Sequence, residues 1–352
     1  PAPAPTTAKP TQAPAPTTAA PTAAPTAAPT AKPTATAAPA PTATAAPAKK
    51  VSLKFASYPV AQDVRTPERQ FFADLVTARS GGQVEIKLFP GEQLTKLDDS
   101  FRSISLGLVD ISDTLPTRFA GTAPALIFGS LPFAFSIDDM SRLVSATYDL
   151  VDAEMGKHNV KLLYGLGSGI FSLFMRPKQV KILEDIKGLK IRAPGEVQSR
   201  TISLWGGSPT TIPVAEQYMA LQRGTVDGLL TAGSTYLSNK LYEVAPYPTA
   251  FNWPEIGYVG MNAAVWKSLP ADMQKLVIDA AREATENSQK VWSNRYQEEL
   301  DNMTKAGATV YYLPDGERSR WLEVARPVYD KYLADGGALA EKLNNELKRL
   351  TY

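Results

Sequence analysis

MRPKQVKILEDIKGLKIRAPG, running from Met175 to Gly195, is the stretch on which the reading of this chain turns. EDIKG is turn chemistry, and the GLKIRAP after it reads as a short strand stopped at Pro194, which has no amide hydrogen to continue a ladder. That places Arg192 at the carboxyl end of a strand, the edge at which open α/β sheets hold ligands. A guanidinium there is a planar fork for a carboxylate. Arg176 lies sixteen residues earlier, beside Pro177.

Outward from this stretch, the chain shows one pattern twice. TPERQFFADLVTARS (Thr66 to Ser80) has helical spacing, GGQVEIKLFP alternates as a strand, and FRSISLGLVDIS (Phe101 to Ser112) is a helix closing at Gly107 before a buried strand. In the second half a helix ends near Trp205, GGSPTTIP comes next, and IPVAEQYMALQRGTVDG (Ile212 to Gly228) gives a helix stopping at Gly224. Both copies carry G-x-V-D, in which glycine takes the left-handed position that closes a helix and a β-branched residue enters the sheet. Two such α/β lobes imply a cleft between them.

KLLYGLGSGIFSLFM (Lys161 to Met175) joins the lobes and reads as two strands around a glycine-rich bend. Its Gly165, Gly167 and Gly169 are not a dinucleotide fingerprint, because an aromatic strand stands where a phosphate site needs a helix N-terminus. Further on, Ala271 to Lys305 reads as one helix, roughly 50 Å long at 1.5 Å per residue, with Leu276, Val277, Ala280, Ala284, Val291, Tyr296, Leu300 and Met303 near one stripe. Such a helix spans both lobes. ATVYYLP then gives a last strand, and RSRWLEVARPVYDKYLADGG and ALAEKLNNELKRL give closing helices. The expected organisation is a disordered linker over 1–50, a first lobe of 51–174 with about 260–300, and a second of 175–259 with about 301–352.

Composition supports that division. The first 50 residues are nearly all Pro, Ala and Thr, with only Lys9, Lys32, Lys49 and Lys50 charged. Such a tract cannot bury a core and would reach on the order of 100 Å at ~3 Å per residue. Of 37 basic residues, 33 remain beyond it against 35 acidic ones, so the slight positive charge of the whole chain is no sign of nucleic acid. The absence of cysteine excludes disulfides, thiol catalysis and thiolate metal sites. A Pro/Ala/Thr stalk ahead of a globular domain is expected behind the lipidated cysteine of a bacterial surface lipoprotein, so an anchor is expected through a residue outside this sequence. An interdomain spacer is the alternative. No apolar run is long enough to span a membrane as a helix.

Catalytic constellations are missing. His158 is the only histidine, in the loop-like GKHNVK, and no G-x-S-x-G elbow occurs. Asp98/Asp99 and Asp138/Asp139 stand beside helix starts, where acids favour the helix dipole.

With these residues in place, the segment ending in GLKIRAP resembles the arginine-bearing segment of the solute receptors of tripartite ATP-independent periplasmic (TRAP) transporters, the C4-dicarboxylate-receptor-like family. IPVAEQYMALQRGTVDG is similar to that family's helix and following strand, in the same order and spacing. The resemblance covers most of residues 51 to 345. It implies a two-lobed periplasmic-binding-protein-like α/β fold with a long helix bridging the lobes, a receptor rather than an enzyme, no cofactor, and hinge closure on a small organic acid passed to TRAP membrane permease subunits. The molecule is expected to be an extracytoplasmic monomer. Receptors of ABC transporters, sensors of similar shape, and an enzyme on the same fold are the alternatives.

By the same resemblance Arg192 is the principal carboxylate anchor and Arg176 a second one. A structural reading has either arginine pairing with Glu184 or Asp185. Where the family usually continues Q-E-N after V-D-G, this chain has Leu229, Leu230 and Thr231, and Val214 stands at a position often aromatic in relatives. Those departures imply a pocket poor in hydrogen bonds, suited to an acid with an apolar tail. Tyr58, Thr114, Tyr236 and Trp253 complete the candidate walls, although Tyr236 and Trp253 equally suit packing at the hinge.

Overall fold

In a computed structural model the chain builds one nine-stranded mixed sheet flanked by helices, and residues 50–351 are described. The linker expected over 1–50 lies outside the described residues apart from Lys50. The strands are β1 (Val51–Ala56), β2 (Val84–Phe89), β3 (Ile111–Thr114), β4 (Val160–Met175), β5 (Lys190–Arg192), β6 (Ser208–Thr210), β7 (Gly228–Ala232), β8 (Tyr247–Asn262) and β9 (Tyr311–Tyr312). The helices are α1 (Thr66–Arg79), α2 (Ser100–Ser105), α3 (Met140–Gly156), α4 (Glu196–Leu204), α5 (Gln217–Gln222), α6 (Gly233–Ser238), α7 (Ala263–Ser268), α8 (Ala271–Lys305) and α9 (Asp315–Thr351). The sheet order is β2-β1-β3-β8-β4-β7-β5-β6, with β9 beside β8.

Gly107 and Gly224 both have positive φ and close their helices as the G-x-V-D pattern requires. The long helix runs from Ala271 to Lys305 as expected, and α9 breaks at Gly337, whose φ of 55° and ψ of −145° separate the two closing helices. One expectation is corrected. KLLYGLGSGIFSLFM is not two strands around a bend but part of one 16-residue strand, β4, paired antiparallel along its length with the equally long β8.

The register of that pair positions the site. Thr114, ending β3, is paired with Tyr258, which is paired in turn with Gly165. Ala232, ending β7, is paired with Phe171. The carboxyl ends of β1 and β3 therefore face those of β5 and β7 across the middle of β4 and β8, at about residues 166–170 and 254–257. The β4–β8 ladder slips there, between Gly167 and Gly169. Gly167 is bare because the Trp292 indole of α8 lies 2.2 Å from where its Cβ would stand, and the Gly167 amide donates to Ser288 at 3.0 Å. Gly169 has φ +153°, a conformation side chains rarely adopt.

Apolar clusters pack around both halves of this frame. Phe55, Phe72, Ile111 and Val277 centre one beside β1–β3, and Phe174, Leu221, Leu229 and Met303 another beside β7. No described helix is long and apolar enough to cross a membrane.

Candidate functional site

β5 is only three residues long, but it lies between β6 and β7 and buries Ile191 and Arg192. Arg192 is 3% exposed. Its Nε donates to the Ile212 carbonyl at 3.0 Å and its Nη1 to the Leu230 carbonyl at 3.4 Å. Among the described residues no carboxylate pairs with it. Glu184 is engaged by Arg320 and Asp185 by Lys178, so neither acid takes the partnership the structural reading offered. Burial, with the Arg118 charge nearby, pulls the Arg192 pKa down to about 10.

Each element leaving the carboxyl ends of β5, β6 and β7 adds a buried polar group without a partner. Gln198 on α4 and Gln217 at the start of α5 have both amide atoms unbonded, as does the Ser234 hydroxyl on α6. An unbonded buried polar group costs ~1–3 kcal/mol. Such groups in a native structure call for an explanation.

On the facing wall the buried charges at Asp113 and Asp63 are paired within the protein. Asp113, near the end of β3, accepts from Arg69 Nε at 2.9 Å, from Ser57 Oγ at 2.9 Å and from the Tyr58 amide at 3.2 Å. Arg65 grips Asp63 with two nitrogens at 2.8 and 2.7 Å, lies 5.2 Å over the Tyr58 ring, and donates to the Ser168 carbonyl at 3.3 Å. At mid-β8 the buried Glu255 accepts from Ser130 Oγ at 3.0 Å and Thr117 Oγ1 at 3.3 Å; burial pushes its carboxyl pKa up against the pull of Ser130 and Arg118. The two walls meet: Thr117 Cβ lies 3.8 Å from where a Cβ on Gly195 would stand.

The structure brings together only some of the residues singled out from sequence. Arg192 and Thr231 share the β5–β7 edge, with Thr231 buried opposite Ser172. Tyr58 faces the same cleft through its hydroxyl, 2.9 Å from Ser168 Oγ, and the buried Thr114 accepts from Ser100 Oγ at 2.8 Å. Arg176 is elsewhere. It comes directly after the last residue of β4 and sits where β7 begins, its amide bonded to the Asp227 carbonyl and its guanidinium 4.0 Å from the Asp227 carboxylate, 41% exposed. Tyr236 is fully buried, stacked on Phe174 at 4.0 Å with its hydroxyl on the Ala245 carbonyl. Trp253 is equally buried, its indole bonded to the Ser130 carbonyl. Both rings pack the core. Val214 is half exposed, and the buried Gln198 and Gln217 keep unbonded amide atoms.

Sequence reasoning missed the facing wall because its charges lie inside amphipathic patterns. Glu68 and Arg69 stand inside the helical spacing of α1, yet both are buried. On α8 the stripe of apolar residues hid Ser288, Trp292 and Glu299, which are buried too. A signal did exist in Gln198, Gln217 and Ser234, polar residues at the first turns after the strands. Among the described residues no group of three or more His, Asp or Glu side chains is placed to hold a metal.

Comparison with known proteins agrees with this geometry. Residues 55–335 match the family model of bacterial extracellular solute-binding proteins, family 7. A C4-dicarboxylate-binding periplasmic protein of Rhodobacter capsulatus is 28% identical over 303 residues, 82% of this chain and 88% of that one. A TRAP periplasmic solute binding protein from Ochrobactrum anthropi superposes with a TM-score of 0.79 at 27% identity, covering 86% of this chain and 96% of that chain. An extracytoplasmic solute receptor of Bordetella pertussis binding pyroglutamic acid shares the fold, with a TM-score of 0.78 at 24% identity over 85% of this chain and 99% of its own. These relatives are receptors, not enzymes. A two-lobed α/β frame, a buried arginine at a strand end facing the opposite lobe, and a family match over most of its length place the chain among the family 7 extracellular solute-binding proteins, the solute receptors of TRAP transporters.

Proposed function

We propose that this receptor binds a small organic acid in the cleft between the carboxyl ends of β1/β3 and β5/β7, with Arg192 as carboxylate anchor, and delivers it to TRAP permease subunits. The observation that carries this reading is the Arg192 guanidinium, buried with two carbonyls and no acid. A cation taken out of water without a counter-charge is costly, and a ligand carboxylate supplies what is missing. Gln198, Gln217 and Ser234 then favour an acid carrying further oxygen or nitrogen groups over one with a purely apolar tail. Thr231, Thr114 and Tyr58 belong to the walls of the same cleft. Arg176, committed to Asp227, is no part of this reading.

Closure belongs to the same reading. The lobes of this reading are β1–β3 with the outer halves of β4 and β8, and β5–β7 with the inner halves, so the hinge lies at the ladder slip around Gly167–Gly169 and Glu255. A ligand touching both walls binds the closed state better and shifts the population toward it. The Pro/Ala/Thr tract supports an extracytoplasmic receptor tethered at its amino-terminal side.

The experiment is a thermal-shift screen over pyroglutamate, succinate, galacturonate and phenyl-substituted acids, followed by calorimetry on the best binder. An acid at 100 times its dissociation constant raises stability by ~2.7 kcal/mol. Arg192→Ala is expected to weaken that acid by roughly 30-fold or more. Retention of affinity within fivefold would remove Arg192 as the anchor.

A further inference from the structure

Resting on the reading of the cleft as an acid site, we propose that Arg118 is a second anchor that works from the opposite wall, and that its apposition to Arg192 keeps the empty receptor open until an anionic ligand bridges the two guanidiniums.

The 3-10 turn Pro116–Arg118 leaves β3 directly and carries Arg118 to the place where the walls meet. Its neighbour Thr117 is the residue that touches the Gly195 corner between Arg192 and α4. The Arg118 Nε is buried and has no partner, and among the described residues the only acid paired with its guanidinium is Asp98, at 3.4 Å from Nη1 and 77% exposed on its side chain. An ion pair to so exposed an acid contributes little. Glu255, at mid-β8, is already bonded by Ser130 and Thr117, and burial raises its pKa. Gln198, on the Arg192 side, leaves both amide atoms unbonded. Arg118 thus carries its charge at the corner where the walls meet, near enough to act on Arg192, with only an exposed acid paired to it.

The consequence is a coupling between ligand and shape. With no anion present, closing the cleft brings two like charges together in a region sheltered from water, where repulsion is weakly screened. A carboxylate seated between them replaces that repulsion by two sets of charge-assisted hydrogen bonds. Anionic ligands therefore close the receptor and neutral ones do not, which keeps an empty receptor from presenting the closed shape to its permease.

The chain contains no cysteine, so spin labels can be placed singly at exposed positions, Lys87→Cys on β2 and Arg200→Cys on α4, in the full chain. Dipolar distances are measured with no organic acid present. The wild type is expected to be mostly open, and Arg118→Gln to raise the closed population roughly tenfold. Arg118→Lys, which keeps the charge, is expected to stay open, and Asp98→Asn to change nothing. Circular dichroism melting confirms that each variant is folded. A wild type already closed without ligand overturns the proposal, and so does an Arg118→Gln distribution equal to the wild type's. The acid-site reading is tested separately: if Arg118→Gln closes the empty receptor while Arg192→Ala retains acid binding, the repulsion stands and the anchor assignment falls.

Discussion

Two buried arginines of this molecule, Arg69 in the first turn of α1 and Arg192 at the carboxyl end of β5, are treated in opposite ways. Arg69 is 0% exposed and held by the equally buried Asp113, with Arg65's carbonyl as a second acceptor. Arg192 is almost as buried but holds only carbonyl oxygens. Their acid–base behaviour diverges accordingly: the Asp113 charge drives the Arg69 pKa up despite its burial, whereas burial and Arg118 bring that of Arg192 down to about 10. Residue type and burial are the same. What differs is whether the fold supplies the counter-charge, and on the proposed reading that separates a structural cation from one kept for a ligand.

The comparison breaks most visibly on the satisfied side. Asp113→Ala leaves Arg69 buried and unpaired, a loss of ~3–5 kcal/mol in folding stability. Denaturant unfolding of the acid-free protein is expected to show it as a fall in midpoint at constant slope. A loss under ~1 kcal/mol would mean that water reaches Arg69 and that the two walls are less different than they look.

On the unsatisfied side the large effect is in binding. Arg192→Ala is expected to cost ~2–5 kcal/mol in affinity for the acid found by thermal shift. Arg192→Lys recovers only part of this, because an ammonium cannot offer the two-point fork. A lysine variant as tight as the wild type would show that the contact is a point charge and would leave the ligand's orientation to Gln198.

A third buried charge sharpens the contrast through pH. Glu299, on α8, packs its carboxylate against Gly233, and burial raises its pKa from 4.5 to about 8, against the pull of Arg295 and Arg65 and with Asp63 and Glu298 adding to the rise. A carboxyl whose folded pKa is raised holds its proton in the native state and loses it on unfolding. Its contribution is full below about pH 4.5 and is lost as pH rises toward 8. Relative to Glu299→Gln, the wild type is expected to lose at least ~1 kcal/mol between pH 5 and 8. Parallel stability curves for the two proteins would place Glu299 in water.

Much of the frame was legible in the sequence because it rests on local rules. Glycines at helix ends, Pro194 after GLKIR and a 35-residue apolar stripe each have one cheap conformation, and all three appear where expected. Arg192 was legible for the same reason, a charge at a strand end in an otherwise apolar run. The surroundings of the other candidate residues depend on tertiary neighbours. Nothing near Tyr236 or Trp253 in the chain shows that Phe174 and the Ser130 carbonyl will occupy them, or that Arg176 will come within 4.0 Å of Asp227, 51 positions away. The unity of β4 was hidden because glycines that usually mark a bend here make room for Trp292 and Ala232. Arg118 and Glu255 gave no signal at all, since only the β3–β8 register brings the turn after β3 onto mid-β8.

The smallest expected effect is also the most discriminating. Arg192→Met removes the cation and keeps much of its volume, so in acid-free protein no buried charge is stranded, and the Ile212 and Leu230 carbonyls lose one bond each. The relief from burying an unpaired guanidinium and the loss at the two carbonyls oppose each other, and replacement of a buried ionic group by an apolar one is often neutral or stabilising. Folding stability without acid is therefore expected to stay within ~1 kcal/mol of the wild type, while the stabilisation added by a saturating acid disappears. The matching change on the other wall, Arg69→Met, strands Asp113 and costs several times more. Equal losses for the two methionine variants in acid-free unfolding would mean that Arg192 carries the fold as Arg69 does, and the contrast between a structural and a ligand-holding arginine would be gone.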